Sequence, residues 1–428
     1  MKNTLKISLT ALLALFFVTL GFGSDVTKIH HSQGQAEHPF IQVLDNGDLL
    51  VVFSEGHHFN MDAELMYTIY HNGSWTPVKR AVKKTSSSAF AQLTKDDTGH
   101  VHVTLMDGNA SSNREIYYAM YDPEDDRWYG KWKAYGSEGV NSTWPRIQIY
   151  NDKVIILWTH NYDPKIGQTD LVMIENPMDG DWPVADKERI TISNMGQSAS
   201  VHNDFEVWDN QLHAIWMDDN HKPGNWNMYY TEGQYDPETD TWSIEKAKQI
   251  FPSAINQYYP ALAVDDVGTV HVIFSNKSGP FWYSQKPHGG RWTKPMEIST
   301  GRASFNLIPY MVYKEGLLHT VWRQTTPNDE GLYYGRALPD GTWAEPVLIA
   351  DTMEFPQYPV MDVDENGDVH VVWSDGDPDH PRHIYYSKVE LPGQAPEAVI
   401  SVDKTQGLTP LTVNFNGAQS NDPDGQIR

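Results

Sequence analysis

The sequence predicts an all-β protein, a seven-bladed β-propeller, from three observations. One unit of several short strands recurs seven times at a spacing of about 48 to 58 residues, the period expected of a propeller blade. Each copy repeats the same turn signals in the same order, and the last copy lacks a strand that the start of the chain can supply. The second strands of the copies end at Phe53, Leu105, Trp158, Trp216, Phe274, Trp322 and Trp373.

The copy at residues 358–388 shows the order of strands within a blade. An alternating first strand ends at Val363, a turn containing Gly367 reverses the chain, and a nearly continuous apolar second strand follows from Val369 to Trp373. Such continuity is expected of a strand that is covered on both faces. The third strand carries two adjacent tyrosines, which recur in four copies as Tyr117-Tyr118, Tyr229-Tyr230, Tyr333-Tyr334 and Tyr385-Tyr386.

The fourth, outer strand predicts how the ring closes. In other copies a tight turn that ends in Trp introduces this strand, for example the turn that ends at Trp343. The seventh copy has no equivalent turn. Residues 25–29 resemble the outer strands 294–299 and 345–350. We therefore expect the N-terminal strand to complete the seventh blade, because closure removes an exposed sheet edge.

The N-terminal residues indicate export. Residues 1–23 combine the basic Lys2 and Lys6 with an apolar stretch and small residues, as a signal peptide does. The apolar stretch is too short for a retained membrane span, and no other segment predicts one. We expect the propeller over residues 24–391, a linker over 392–397 and a separate segment over 398–428.

Composition excludes some classes of function. The chain contains no cysteine, so strand ladders and core burial, not disulfides, must stabilise an exported protein. The formal net charge of −24 excludes nucleic acid as a partner, since phosphate binding requires clustered Lys and Arg. We expect a monomer, secreted or held at the cell surface.

Blade geometry predicts where a site would lie. The connections into each first strand and those leaving each second strand gather at one end of the central channel, and binding residues favour such loops. The first set supplies Glu37, His38, Phe90, Trp144, Arg146, His202, Asn203, Tyr258, Tyr259, Asn306, Gln357 and Tyr358. The second set supplies Glu55, His57, Asp107, His160, Asp218, Arg323 and Asp375. Aromatic planes among amides, carboxylates and arginines suit a sugar; the alternative is that the rings plug the channel.

The histidines divide into two groups. Five occupy one register of the second strand, which predicts an architectural role: His102, His213, His271, His319 and His370. In contrast, four histidines have no counterpart in other blades: His38, His57, His58 and His160. Beside a carboxylate such a histidine can act as a general base. Their alternative role is that of ordinary polar loop residues. We expect no cofactor, with a structural calcium ion at the acidic cluster 375–379 as the alternative, because that cluster lacks the spacing of a calcium loop.

The repeat, with its x-Gly-x-Trp turns before the outer strand, resembles the sialidase-like or BNR-repeat superfamily of propellers over about residues 25–391. Only Gly341 and Trp343 of that family's Asp-box remain in the corresponding turn. Where the family carries Arg-x-Pro in its first blade, this chain has Glu37-His38-Pro39. The resemblance thus implies a carbohydrate-active propeller without typical sialidase chemistry.

The tail resembles a second family. Residues 410–415 and 420–425 resemble the opening of a PKD-type immunoglobulin-like sandwich. The match covers about 30 residues, and a sandwich needs two complete sheets to bury its faces. We therefore expect a truncated PKD-like domain over residues 398–428.

Similar secreted seven-bladed proteins include polysaccharide lyases, which abstract the proton beside a uronate carboxylate with His or Tyr while Arg neutralises the carboxylate. By this resemblance the catalytic candidates are His38, His160, Tyr258, Arg146 and Arg323. The substrate-binding candidates are Glu37, Glu55, His57, Trp144, Asn203, Tyr259, Asn306, Gln357 and Tyr358. The expected function is binding or degradation of an extracellular polysaccharide, by a lyase or hydrolase if catalytic. The alternative is a non-catalytic surface or adhesion protein with a PKD-like spacer.

Overall fold

The computed structural model describes most of the propeller. The described residues are 26–56, 62–83, 86–109, 113–135, 141–161, 169–185, 188–196, 198–220, 222–253, 255–276, 279–299, 308–325, 330–338, 341–351, 355–376, 381–389, 401–402 and 415–416. Residues 24–389 form one compact unit. Across the described ranges, no helix has the length and apolar character needed to cross a bilayer.

The first strands of the chain form the N-terminal segment and blades 1 to 3. The N-terminal segment is β1 (Thr27–His30). Blade 1 consists of β2 (Ala36–Val43), β3 (Leu49–Glu55), β4 (Glu64–His71), β5 (Ser74–Trp75) and β6 (Lys79–Arg80). Blade 2 consists of β7 (Ser88–Lys95), β8 (Val101–Asn109), β9 (Asn113–Asp122) and β10 (Arg127–Lys133). Blade 3 consists of β11 (Thr143–Tyr150), β12 (Lys153–His160), β13 (Asp170–Pro177) and β14 (Ile190–Thr191).

The remaining strands form blades 4 to 7. Blade 4 consists of β15 (Ser200–Trp208), β16 (Gln211–Asp218), β17 (Asn227–Asp236), β18 (Thr241–Ile244) and β19 (Lys248–Ile250). Blade 5 consists of β20 (Gln257–Val264), β21 (Val270–Asn276), β22 (Phe281–Lys286) and β23 (Met296–Glu297). Blade 6 consists of β24 (Tyr310–Lys314), β25 (Leu317–Gln324), β26 (Gly331–Arg336) and β27 (Val347–Ala350). Blade 7 contains β28 (Gln357–Val363), β29 (Val369–Asp375) and β30 (His383–Val389).

The blades form a closed ring of antiparallel sheets. Each blade's first strand packs against the first strands of its two neighbours, and β28 of blade 7 returns to β2 of blade 1. The predicted seven-bladed propeller is therefore confirmed. Because the first strands surround the axis, their inward-facing side chains line the central channel.

The N-terminal strand completes the last blade, as predicted. β1 pairs antiparallel with β30, placing Thr27 opposite Tyr386 and Lys28 opposite Tyr385. Within the described residues the pairing begins at Thr27. Next to this strand, Ala36 donates a backbone hydrogen bond to the Arg382 carbonyl at 3.1 Å, so blades 1 and 7 are joined at the closure.

The repeated histidines are architectural, as predicted. Each Nδ1 shares a hydrogen bond of 2.7 to 2.8 Å with a tyrosine hydroxyl on the adjacent third strand. The pairs are His102–Tyr118, His213–Tyr230, His271–Tyr283, His319–Tyr334 and His370–Tyr386. Four second strands continue two residues beyond the tryptophan at which the sequence predicted their end. These tryptophans are fully buried, namely Trp158, Trp216, Trp322 and Trp373.

Outside the propeller unit the structure describes two short strands. β31 (Ser401–Val402) pairs antiparallel with β32 (Phe415–Asn416). The other residues of the expected PKD-like domain, and all of the expected signal peptide, lie outside the described residues. Both interpretations of these segments stay predictions.

Candidate functional site

In six of the seven blades, a β-bulge positions one residue of the candidate site. Near the start of each first strand the pairing register shifts, and one non-glycine residue adopts a φ between 51° and 54°. A bulge of this kind re-aims a side chain, and the left-handed conformation is unusual for aromatic residues. We call these six residues the aromatic collar: His38, Phe90, Trp144, His202, Tyr259 and Tyr358.

The collar consists of two groups of three rings, each centred on a histidine. The His38 ring lies 3.7 Å from the Phe90 ring and 4.3 Å from the Tyr358 ring, measured between centroids. On the other side, the His202 ring lies 4.2 Å from Trp144 and 4.7 Å from Tyr259. The rings therefore pack across blade boundaries, as the plugging alternative expects.

The packing does not close the channel mouth completely. His38 and Tyr259 are each 4% exposed, whereas the other four collar residues are half-buried. Between the two groups lies a pocket of about 660 Å³, which we call the collar pocket. Besides the collar, its lining includes Gln92, Arg146, Asn203, Tyr310 and the prolines that follow several collar residues. Of the described residues that line it, none is a carboxylate.

One sector of the collar pocket, formed by blades 3 and 4, is charged. Arg146 lies two residues beyond Trp144 and donates from Nε to Asp204 Oδ1 at 3.2 Å. Next to it is His202, whose ring nitrogens form no hydrogen bond with described residues. Burial, followed by the nearby Arg146 charge, lowers the pKa of His202 to about 3. The imidazole is therefore neutral at any pH well above 3 and has a nitrogen lone pair available.

Below the collar, the channel widens to a cavity of about 1180 Å³ with charged walls. Asp362 pairs with Lys314 at 2.6 Å and also accepts the Val43 backbone N–H at 2.7 Å. Glu206 accepts the Val264 backbone N–H at 2.7 Å, and burial raises the pKa of Glu206 to about 8. The sequence reasoning missed these wall residues. The signal was available, because Asp204 and Glu206 alternate with His202 along one face of β15.

Some predicted site residues lie beside the collar but face away from the pocket. Glu37 is buried in an ion pair with Arg382 of blade 7. Tyr258 is buried, and its hydroxyl accepts a hydrogen bond from Asn256 Nδ2 at 3.0 Å. Gln357 is also buried and does not line the pocket. Each immediately precedes a collar residue, and the alternation of side chains along a strand turns it to the other face.

The predicted residues at the ends of second strands do not join the collar pocket. His160 shares hydrogen bonds with Ser142 Oγ at 3.3 Å and with Arg189 Nη1 at 3.0 Å. Arg323 is buried, stacks 4.1 Å over the Phe355 ring and pairs with Glu330 at 2.6 Å. These residues therefore lie in separate clusters at the ends of β12 and β25, outside the collar pocket.

The carboxylates at the same strand ends hold loops in place. Glu55 accepts hydrogen bonds from Ser32 Oγ at 2.5 Å and His30 Nε2 at 2.7 Å. Asp107 accepts from Ser88 Oγ at 2.7 Å, and Asp218 accepts from Ser200 Oγ at 2.6 Å. Asp375 accepts the Phe355 backbone N–H at 2.6 Å. Their hydrogen-bonding capacity is used within the protein.

Three predicted residues, His57, His58 and Asn306, lie outside the described residues, as do positions 377–379 of the acidic cluster. Within the part of the chain that the structure describes, no group of three or more His, Cys, Asp or Glu side chains could hold a metal ion. Of the predicted catalytic and substrate-binding residues, the structure brings six together in the collar pocket: His38, Trp144, Arg146, Asn203, Tyr259 and Tyr358. Phe90 and His202, which the sequence also placed at the channel mouth, line the same pocket.

Comparisons with known proteins show the fold. No protein-family model matches the sequence, and no curated protein matches it significantly. An ulvan lyase of polysaccharide lyase family 25, bound to -[GlcA(1-4)Rha3S]-, superposes with a TM-score of 0.58 at 11% identity, covering 84% of this chain and 96% of that one. A protein of unknown function from Dyadobacter fermentans superposes with a TM-score of 0.52 at 11% identity, covering 86% and 99%.

A lower similarity connects the chain with sialidases. The NanB sialidase of Streptococcus pneumoniae superposes with a TM-score of 0.48 at 10% identity, covering 85% of this chain and 69% of that one. This value is too low to support an argument. At about 11% identity, the similarity to the ulvan lyase and to the Dyadobacter protein shows the propeller fold and no more.

Proposed function

We propose that the collar pocket binds a sugar unit of an extracellular acidic polysaccharide and that the protein cleaves this polymer as a lyase. The observation that carries the proposal is the meeting of Arg146 and the neutral His202 in one sector of a pocket walled by aromatic rings. A repetitive lectin would instead repeat equivalent pockets from blade to blade.

The walls of the pocket suit a sugar. Half-buried Trp144 and Tyr358 stand on opposite sides and offer flat apolar faces to the C–H faces of a pyranose. Half-buried Gln92 provides an amide group for hydroxyls, whereas Asn203 is buried and donates its Nδ2 to the Trp144 carbonyl at 3.1 Å. A concave, mainly aromatic site with a few polar groups is the usual form of a small-ligand site. The glucuronate-containing oligosaccharide bound to the similarly folded ulvan lyase supports the same class of ligand.

Lyase chemistry fits this pocket better than hydrolysis. Glycoside hydrolases use two carboxyl groups that flank the scissile bond, and no carboxylate lines the described part of the pocket. Arg146 donates one of its five N–H groups to Asp204, which leaves others to bind a uronate carboxylate. Neutralising that carboxylate acidifies the adjacent C5 proton, as electrostatic stabilisation at a developing charge does.

The elimination follows from these positions. The C5 proton moves to the free nitrogen of His202, the C–H electron pair forms the C4–C5 double bond, and the C4–O bond breaks. A proton from a tyrosine hydroxyl or water then completes the leaving alcohol. Burial is the larger cause of the low pKa of His202, and the Arg146 charge is the smaller one. A substrate carboxylate beside Arg146 offsets only the smaller cause, so substrate binding makes the imidazole a somewhat stronger base.

The test uses the purified protein with neutral, uronate-containing and sulfated polysaccharides. Ultraviolet absorbance of unsaturated uronate and newly formed reducing ends would be followed together. We expect both to rise with a uronate polymer, and to be lost in Arg146→Ala and in His202→Ala. The matched control is His160→Ala, a histidine outside the pocket, which should retain activity. Reducing ends without absorbance would refute a lyase and indicate a hydrolase.

A second candidate is a non-catalytic binding protein of the surface or adhesion type. The mutual stacking of the collar rings favours it, because rings that already pack against each other are less free to rearrange around a substrate. Polysaccharide binding without product in either assay would support this candidate. Absence of both binding and product would overturn the assignment of the pocket to sugars.

Three further features belong to the same proposal. We infer that residues 1–23 direct export, that the propeller is a monomer of the sialidase-like or BNR-repeat type, and that residues 398–428 begin a PKD-like spacer. Cleavage before Ser24 in a secreted preparation, read by N-terminal sequencing, would test export. The mass in solution by light scattering would test the monomer.

A further inference from the structure

A second concave surface lies on the outer side of blades 4 and 5, across the sheets from the inner strands that line the channel. It leaves about 660 Å³ of free space, open to solvent, between the third strand of blade 4, the segment joining β18 to β19, and the turn after β22. We call it the outer groove. Its lining includes four cationic side chains, Lys246, Lys248, Lys286 and Arg291, and two acidic ones, Glu232 and Glu245.

The acidic residues are already paired within the groove. Lys286 lies 2.6 Å from Glu232, and Tyr230 also donates its hydroxyl to that carboxylate at 2.8 Å. Lys248 pairs with Glu245 at 3.0 Å. The two remaining cations, Lys246 and Arg291, form no ion pair with described residues. The groove therefore has a surplus of positive charge.

An aromatic wall accompanies this charge. The Trp292 ring is half-buried and packs edge-on against Tyr230 at 5.1 Å and against Phe251 at 5.3 Å. These two contacts fix the orientation of the indole while part of it remains exposed in the groove. Cations beside a fixed aromatic face suit a sugar that carries an anionic group.

The positive charge of the outer groove contrasts with the negative charge of the chain as a whole. The whole chain has a formal net charge of −24, so most of its surface repels polyanions. The outer groove, with its surplus of cations and its aromatic wall, is an exception to this negative surface and suits an anionic ligand. We propose that the outer groove binds a carboxylated or sulfated segment of a polysaccharide, independently of the collar pocket.

The probes that test this are dextran sulfate, polygalacturonate and unmodified dextran, measured with the full chain by titration calorimetry at about 50 mM salt. We expect the two anionic polymers to bind, dextran not to bind, and the affinity to fall as salt is raised. Dextran sulfate and polygalacturonate distinguish sulfate from carboxylate recognition. Binding of dextran as tight as that of the charged polymers would overturn the proposal.

The decisive variant is Lys246→Ala/Arg291→Ala, which removes only exposed side chains. We expect roughly a three- to tenfold weaker affinity, the range for loss of two exposed charge contacts. The matched control is Lys83→Ala/Lys222→Ala, which removes the same charge from exposed positions elsewhere. Equal weakening in the control would mean non-specific attraction and would refute the groove.

Two further variants separate the groove from the pocket and from folding effects. Trp292→Phe keeps a ring against Tyr230 and should also weaken binding, with an unchanged melting temperature. His202→Ala alters the collar pocket and should leave binding of dextran sulfate unchanged. If His202→Ala abolishes binding of dextran sulfate, the polymer binds in the collar pocket and the outer-groove proposal is wrong. Failure of the lyase assay would refute the proposed activity but would not affect the outer-groove proposal.

Discussion

Acidification from pH 7 to pH 5 should destabilise the propeller, mainly through the buried architectural histidines. Burial lowers the pKa of His213 and of His319 to about 4. For His213 the structural reason is clear, because its Nε2 is buried and has no hydrogen-bond partner among the described residues. In the unfolded chain a histidine titrates near its ordinary value of about 6.5.

The sign follows from proton binding. Between about pH 6.5 and pH 4 the unfolded chain takes up protons that the folded state does not bind, so stability is complete above about pH 6.5 and is lost as the pH falls. Integrated from pH 7 to pH 5, each of these two histidines costs about 2 kcal/mol. The pKa values of His102, His271 and His370 are also lowered by burial, so these residues act in the same direction.

Glu206 acts in the opposite direction. Burial raises its pKa to about 8, so its folded form binds a proton at neutral pH that the unfolded form releases. Over the same interval Glu206 contributes about 2 to 3 kcal/mol of stability at most, because the residue is half-buried rather than fully buried and solvent screening reduces the effect. Burial also raises the pKa of Asp204 and of Asp218, which act in the same direction as Glu206, and lowers the pKa of His202, which acts with the five architectural histidines. These six histidines outnumber the three carboxyl groups, so we expect acid to destabilise the protein overall.

The assay is urea unfolding followed by tryptophan fluorescence at the two pH values. The His213→Gln/His319→Gln variant should lose about 4 kcal/mol less than the parent protein between pH 7 and pH 5. The control is His31→Gln, an exposed histidine near the ring closure, and this variant should lose as much stability as the parent protein. The same pH dependence in the double variant and the parent would refute the reasoning.

Three other predictions concern the ring closure and the pocket. Deletion of residues 26–32 removes β1, exposes the edge of β30, and should lower the free energy of unfolding by at least about 3 kcal/mol, measured by urea unfolding; a loss below about 0.5 kcal/mol would contradict closure by this strand. Glu37→Ala leaves Arg382 charged and buried, so we expect a loss of about 3 to 5 kcal/mol, and a much smaller one in Glu37→Met/Arg382→Met; equal losses would exclude the ion pair as the cause. Trp144→Ala should weaken binding of a uronate oligosaccharide by about 1 to 2 kcal/mol in calorimetry, and unchanged affinity would argue against stacking in the pocket.

The sequence alone predicted the fold because the same local pattern recurs seven times. A second-strand His, a terminal Trp and a third-strand Tyr recur at fixed spacing, and the structure joins His and Tyr in each of five blades by one hydrogen bond. Closure was predictable for the same reason, since one blade lacked a strand and one terminal segment resembled it. Because the pattern is repeated, the strands assigned in one blade can be checked against those of the other blades.

The site was only partly predictable, because a one-residue shift in register exchanges the two faces of a strand. The sequence placed Glu37 and His38, Tyr258 and Tyr259, and Gln357 and Tyr358 together at the channel mouth. In each pair the bulge turns the second residue into the collar pocket and buries the first elsewhere.

Bulges depend on how neighbouring blades pack, which no local pattern records. The sequence by itself therefore determined the seven blades, their closure and most of the residues at the channel mouth. Only the tertiary structure decided which of those residues share one pocket, because the side chains of Arg146 and His202 come from two neighbouring blades and meet only when the ring is assembled.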